Sequence, residues 1–179
     1  GKEEIIEKSN GTKMDLPDNY EDRKRLFKTI NQEGSYIRIV LNQEVLKNRA
    51  IVDIPGVLDF KRDNSFSNRM LDEADIVYFF TPCTAKVNPS EYKLLNSISN
   101  AGIPIIVLFT MGDLTDVDEG ITRKTIPQLV QNRLSICFNG IHVAHFQIIS
   151  SNDFYKGKDT HGIDLLTNHI INHEKTYKQ

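Results

Sequence analysis

Apolar positions along the chain fall into short continuous runs separated by polar stretches of helical period. Ile51–Ile54, Ile76–Phe80 and Ile105–Phe109 are continuous apolar runs without in/out alternation, as expected of strands buried on both faces. The first, spanning 50–54, ends at Pro55-Gly56, a turn signal. His145–Ile149 reads as a fourth strand. Between them, Leu94, Leu95 and Ile98 recur at helical spacing after Asn88-Pro89-Ser90-Glu91, and Gly102 and Pro104 end that helix near Asn100. Ile126, Leu129, Val130, Leu134 and Cys137 predict a long helix from about Glu119 to Phe138. Ser67–Ala74 predicts a short helix, and Ile163–Lys175 a closing amphipathic one.

The first part of the chain is patterned differently. Residues 2–16 form two extended runs around Asn10-Gly11, a dipeptide that tolerates φ > 0 at both positions and so predicts a β-hairpin. Leu26, Phe27 and Ile30 predict a surface helix from Tyr20 to Asn31, closed near Gly34. Alternation from Ser35 to Leu41 predicts another strand. Apolar strands alternating with helices imply an α/β domain with a mostly parallel sheet covered on both faces, carrying an N-terminal hairpin. A length of 179 residues suits one domain, taken here as 1–179.

Composition narrows the function classes. Hydrophobic residues at 39% suffice for a core, and a net charge of −2 gives no basic excess to attract nucleic acid. No stretch approaches the ~18 apolar residues of a membrane span. The start, Gly1-Lys2-Glu3-Glu4, has no apolar signal region. Cys83 and Cys137 form no CxxC pair, so reduced thiols in a cytoplasmic protein are the expectation.

Parallel α/β sheets bind ligands at the carboxyl ends of their strands. Asp53-Ile54-Pro55-Gly56 follows the strand at 50–54: an Asp there can hold Mg²⁺ through water, and a Gly beyond it lets backbone approach a phosphate. An ordinary Pro-Gly turn competes with that reading. Thr110-Met111-Gly112-Asp113 follows the strand at 105–109, and Ser150-Ser151-Asn152 the strand at 145–149. Each alone reads equally well as a polar loop. His169 and His173 stand four apart, but without a third ligand they read as a solvated helix face. Asp113, Asp116, Asp118 and Glu119 do not match a calcium loop and read as a solvated acidic loop. No Ser-His-Asp arrangement or GxSxG stands out.

The order of these motifs resembles the GTPases, and among them the dynamin-like large GTPases, over about residues 2–175. Leu46–Val57 is similar to the family's L-x-x-x-x-[IVL]-V-D-T-P-G segment, Glu73–Val77 to its strand entrance, and TMGD at 110–113 to the guanine motif [NT]-K-x-D, with Met111 in place of Lys. His161–Leu166 resembles the start of its last helix. The resemblance implies a P-loop-NTPase-like three-layer sandwich that binds GTP or GDP with Mg²⁺. Asp53 would stand near the metal, Gly56 near the γ-phosphate, and Thr110, Met111, Asp113, Ser150 and Ser151 around the base. It also implies a homodimer across the nucleotide face as partner, and membrane contact only through parts outside this chain. The phosphate loop G-x-x-x-x-G-K-[ST] is absent, since Gly1-Lys2 is followed by Glu3 and Gly157-Lys158 by Asp159. Thr12 and Thr29 do not convince as the switch threonine. The expectation is a domain whose N-terminal portion is missing, so that these residues alone hydrolyse GTP poorly or not at all. The alternative is a degenerate scaffold or dimerisation module without nucleotide. A flavodoxin-like domain lacks support, having no Gly-rich or Ser/Thr-rich loop after a first strand.

Overall fold

The computed structural model describes residues 5–8, 13–15, 17–32, 37–40, 51–53, 71, 73–115, 118–158 and 161–177. The chain divides into two compact units, Gly1–Ile51 and Val52–Gln179.

In the first unit, β1 (Ile5–Lys8) and β2 (Lys13–Asp15) pair antiparallel with Ile6 opposite Met14, as the hairpin pattern predicts. The Asn10-Gly11 turn lies outside the described residues. The alternating segment supplies β3 (Ile37–Val40), which pairs antiparallel with the other edge of β1, giving the order β2-β1-β3. Helix α1 (Tyr20–Gln32) matches the predicted surface helix. It starts where Asn19 Oδ1 accepts the Asp22 N–H at 2.8 Å, and Glu21 and Asp22 place negative charge at its positive end.

The second unit is an α/β layer. Strands β4 (Val77–Pro82), β5 (Ile105–Thr110) and β6 (Val143–Ile148) form a parallel sheet in the order β4-β5-β6. The register runs Val77–Ile105–Val143, with an irregularity between Ile105 and Ile106 that brings Ile106 opposite His145. Strand β5 is central, and Ile105 through Phe109 are each no more than 1% exposed. Its side chains divide between two cores. Ile105, Val107 and Phe109 meet Leu95 and Ile98 of α2 (Pro89–Asn100) and Ile126 and Val130 of α3 (Ile126–Cys137). Ile106 and Leu108 meet Ile163 and Leu166 of α5 (His161–Tyr177). The continuous apolar run is thus an alternating strand with a core on each side. Cys83 and Cys137 are free thiols, and burial pushes the Cys83 thiol up to about 11. Among the described residues, no helix is long and apolar enough to cross a membrane.

Several expectations are corrected. Ile51, Val52 and Asp53 form no strand, and Ile51 and Val52 are 67% and 47% exposed rather than buried. Apolar content alone does not make a strand: backbone in a sheet needs a partner ladder, and among the described residues these three have none. Ala50 and Ile54 lie outside the described residues, as does most of the predicted helix at 67–74, of which Leu71 is buried in the core. Helix α3 begins at Ile126, not near Glu119. Pro127 is tolerated only in a first turn, and before it Thr125 Oγ1 donates to the Gly120 carbonyl at 3.0 Å, holding a turn instead. His169 is not on a solvated face. It is partly buried and stacks on His145 with centroids 5.4 Å apart, with its Nδ1 3.3 Å from the Tyr78 hydroxyl.

Helix α2 has the most complete cap among the described residues. Asn88 Oδ1 accepts the N–H groups of Ser90 and Glu91, each at 2.9 Å, while Glu91 Oε2 accepts the Asn88 N–H at 2.8 Å. Asn88→Ala is expected to cost about 1 kcal/mol, measured as a shift in the urea midpoint. An unchanged midpoint would mean the box contributes nothing.

Candidate functional site

The site is built where the central strand leaves the sheet. Beyond β5, the Cys83 N–H donates to the Thr110 carbonyl at 2.9 Å and ties the loop to the end of β4. On the other side, the Ile149 N–H donates to the Phe109 carbonyl at 2.8 Å, and the Gly112 N–H returns to the Ile149 carbonyl at 3.0 Å. The segment 110–113 is therefore fastened to both neighbouring strands. Met111 takes a left-handed conformation at φ 60 and is 53% exposed. A side chain other than glycine rarely adopts this region, and such departures collect at functional sites. Gly112 packs so closely that a Cβ there would lie 2.7 Å from Ile148 Cγ2 and 3.3 Å from the Ile149 carbonyl oxygen.

This geometry delivers Asp113 to the loop after β6. Ser150 caps the short helix α4 (Ser151–Tyr155), accepting the Asp153 N–H at 3.0 Å, and its Oγ donates to Asp113 Oδ1 at 2.7 Å. Asn152 Nδ2 donates to Asp113 Oδ2 at 2.6 Å. Asp153 is 3% exposed and receives a bidentate pair from Arg123, at 2.7 and 2.9 Å. The Ser150 and Asn152 hydrogen bonds hold the Asp113 carboxyl below the usual carboxylate range, with a smaller contribution in the same direction from the Arg123 charge.

An open cavity of about 500 Å³ lies over this carboxylate, lined by Thr110, Met111, Asp113, Leu114, Ser151 and Asn152. Of the residues expected from sequence, Thr110, Met111, Asp113 and Ser151 line it, and Ser150 sits behind it bonded to Asp113. Asp53 is exposed and is not among the lining residues, and Gly56 lies outside the described residues. Asp53 therefore does not stand at a strand end, as the motif had implied. Sequence reasoning missed Leu114, Asn152, Arg123 and Asp153. Asn152 stands within the Ser150-Ser151-Asn152 string, but nothing in that string signals that its side chain reaches Asp113. Arg123 and Asp153 stand far apart in the chain and carry no sequence signal of their pairing.

Chemically, the cavity offers an ionised acceptor beside apolar surface from Met111 and Leu114. That suits a flat heterocycle with N–H donors on one edge. The sequence has no phosphate loop. Among the described residues, no three His, Cys, Asp or Glu side chains gather to hold a metal. Compared with family models, curated proteins and solved structures, the chain matches none.

Two measurements check this geometry. Gly112→Ala is expected to destabilise the fold by about 1–3 kcal/mol, because the stiff Ile148 side chain and the Ile149 backbone must give way; an unshifted thermal transition would refute the close approach. The Asp113 carboxyl, followed by NMR titration, is expected to titrate below a free Asp, and Ser150→Ala to move it upward. Because the folded value is depressed, the stability this group contributes is present above the unfolded Asp value. It is lost as pH falls from there through the lower folded value.

Proposed function

We propose that this chain is the guanine-nucleotide-binding portion of a dynamin-like GTPase domain with P-loop-NTPase-like layering. GTP hydrolysis belongs to the complete protein and not to these residues alone. One observation carries the reading: the carboxylate of Asp113, held ionised, opens on a cavity at the carboxyl end of the central strand with Met111 beside it. Guanine presents a ring N–H and an amino N–H on one edge, and a carboxylate accepts both. Adenine lacks that pair, so the same carboxylate rejects it. Met111 supplies apolar contact to the plane of the base without the charge a Lys would bring. Thr110 and Ser151 border the same cavity. At the phosphate end, Asp53 and Gly56 are the residues of this chain left to act on Mg²⁺ and the γ-phosphate. Charge stabilisation there needs a phosphate loop that the sequence does not contain.

A competing reading, a scaffold that binds no nucleotide, also has an observation in its favour. Both oxygens of Asp113 already accept hydrogen bonds from the protein itself. Calorimetry with GDP and ADP separates the two. The expected result is binding of GDP in preference to ADP, weakened roughly 10- to 100-fold by Asp113→Ala, as for lost hydrogen bonds to a charged group. Absence of GDP binding, or binding indifferent to Asp113→Ala, supports the scaffold.

A further inference from the structure

Resting on the nucleotide reading, we propose that Asn152 is an internal gate on the site, its side-chain amide occupying the place on Asp113 Oδ2 that a ligand N–H must take. The two donors on Asp113 are not equivalent. Ser150 is partly buried and doubly engaged: its Oγ donates to Asp113 Oδ1 at 2.7 Å while accepting the Asp153 N–H at 3.0 Å. Asp153 is in turn clamped by Arg123. Ser150 therefore belongs to the rigid support of the carboxylate. Asn152 is exposed and lines the cavity, and its Nδ2 donates to Oδ2 at 2.6 Å. An ionised carboxylate only accepts, so the amide must present its NH₂ group, the same kind of donor that a guanine edge carries.

Ser150 thus aims the carboxylate, and Asn152 satisfies it while the cavity holds no ligand. Losing that donor without a replacement would cost the carboxylate a charge-assisted hydrogen bond. A ligand with paired N–H donors exchanges one donor for another at Oδ2, and its apparent affinity falls by the fraction of time the Asn152 amide is bound there. A ligand with no donor to offer gains nothing from displacing the amide. The exchange therefore adds discrimination against adenine and leaves the site satisfied between ligands. Rotation of one exposed side chain opens the gate, with no backbone movement.

The test uses the full chain, with GDP, guanosine and ADP as probes. Calorimetry of the wild type, Asn152→Ala, Ser150→Ala and Asp113→Ala is paired with NMR titration of the Asp113 carboxyl in the absence of nucleotide. The expected pattern has opposite signs: Asn152→Ala binds GDP and guanosine roughly two- to tenfold more tightly, and Ser150→Ala binds them more weakly. Asn152→Ala also moves the Asp113 titration upward. GDP binding that Asp113→Ala weakens but Asn152→Ala leaves unchanged or weaker overturns the gate and leaves the nucleotide reading standing. An Asp113 titration unmoved by Asn152→Ala overturns the gate without reference to any nucleotide. No GDP or guanosine binding by the wild type or by Asn152→Ala overturns both.

Discussion

Burial of β5 on both faces organises the second unit. A strand whose five apolar residues are each at most 1% exposed must have a core on either side, and its backbone must be paired along both edges. Strands β4 and β6 supply the pairing. Helices α2 and α3 cover one face and α5 the other. The polar residues that follow cannot enter either core, so Thr110–Asp113 must emerge at the carboxyl edge. There its neighbours fix it through the Thr110 carbonyl and the Gly112 N–H. The position of Asp113 is in this sense a consequence of core packing some residues upstream.

A buried cation reinforces the same edge. Arg133 of α3 is 7% exposed and lies over the Phe109 ring, with its guanidinium carbon 5.1 Å from the ring centroid. It donates to the Pro82 and Cys83 carbonyls at 2.5 and 2.9 Å, and its Nε has no hydrogen-bond partner among the described residues. Burial pushes its pKa down, yet a guanidinium stays charged, so the carbonyls at the end of β4 must offset much of its desolvation. Helix α3 is thereby joined to the end of β4, beside the point where Cys83 meets Thr110. Together with the Arg123–Asp153 pair behind Ser150, this surrounds the candidate site with polar fastenings.

The site itself is at rest in a self-satisfied state. Asp113 has a rigid donor on one oxygen and an exposed one on the other. The arrangement keeps the carboxylate ionised and aimed, and it sets the terms for any ligand, which must bring a donor at least as good as the one it replaces. The proposed guanine specificity and the proposed gate are two aspects of that single carboxylate.

The chain's own pattern determined much of this protein. Apolar runs at 76–80 and 105–109, helical spacing at Leu94, Leu95 and Ile98, and the Asn10-Gly11 dipeptide mark elements whose stability is local or comes from generic burial. They were legible for that reason. Thr110-Met111-Gly112-Asp113 and Ser150-Ser151 were legible as loops at strand ends, where parallel sheets gather ligands. The tertiary structure decided the rest. It left Ile51–Asp53 exposed and outside any sheet, because an apolar run becomes a strand only if a partner ladder is available. It also brought Asn152 onto Asp113, Arg123 onto Asp153 and His169 onto His145. Those contacts join residues distant in sequence whose types recur throughout the chain, so only the packing of one element against another selects which of them meet.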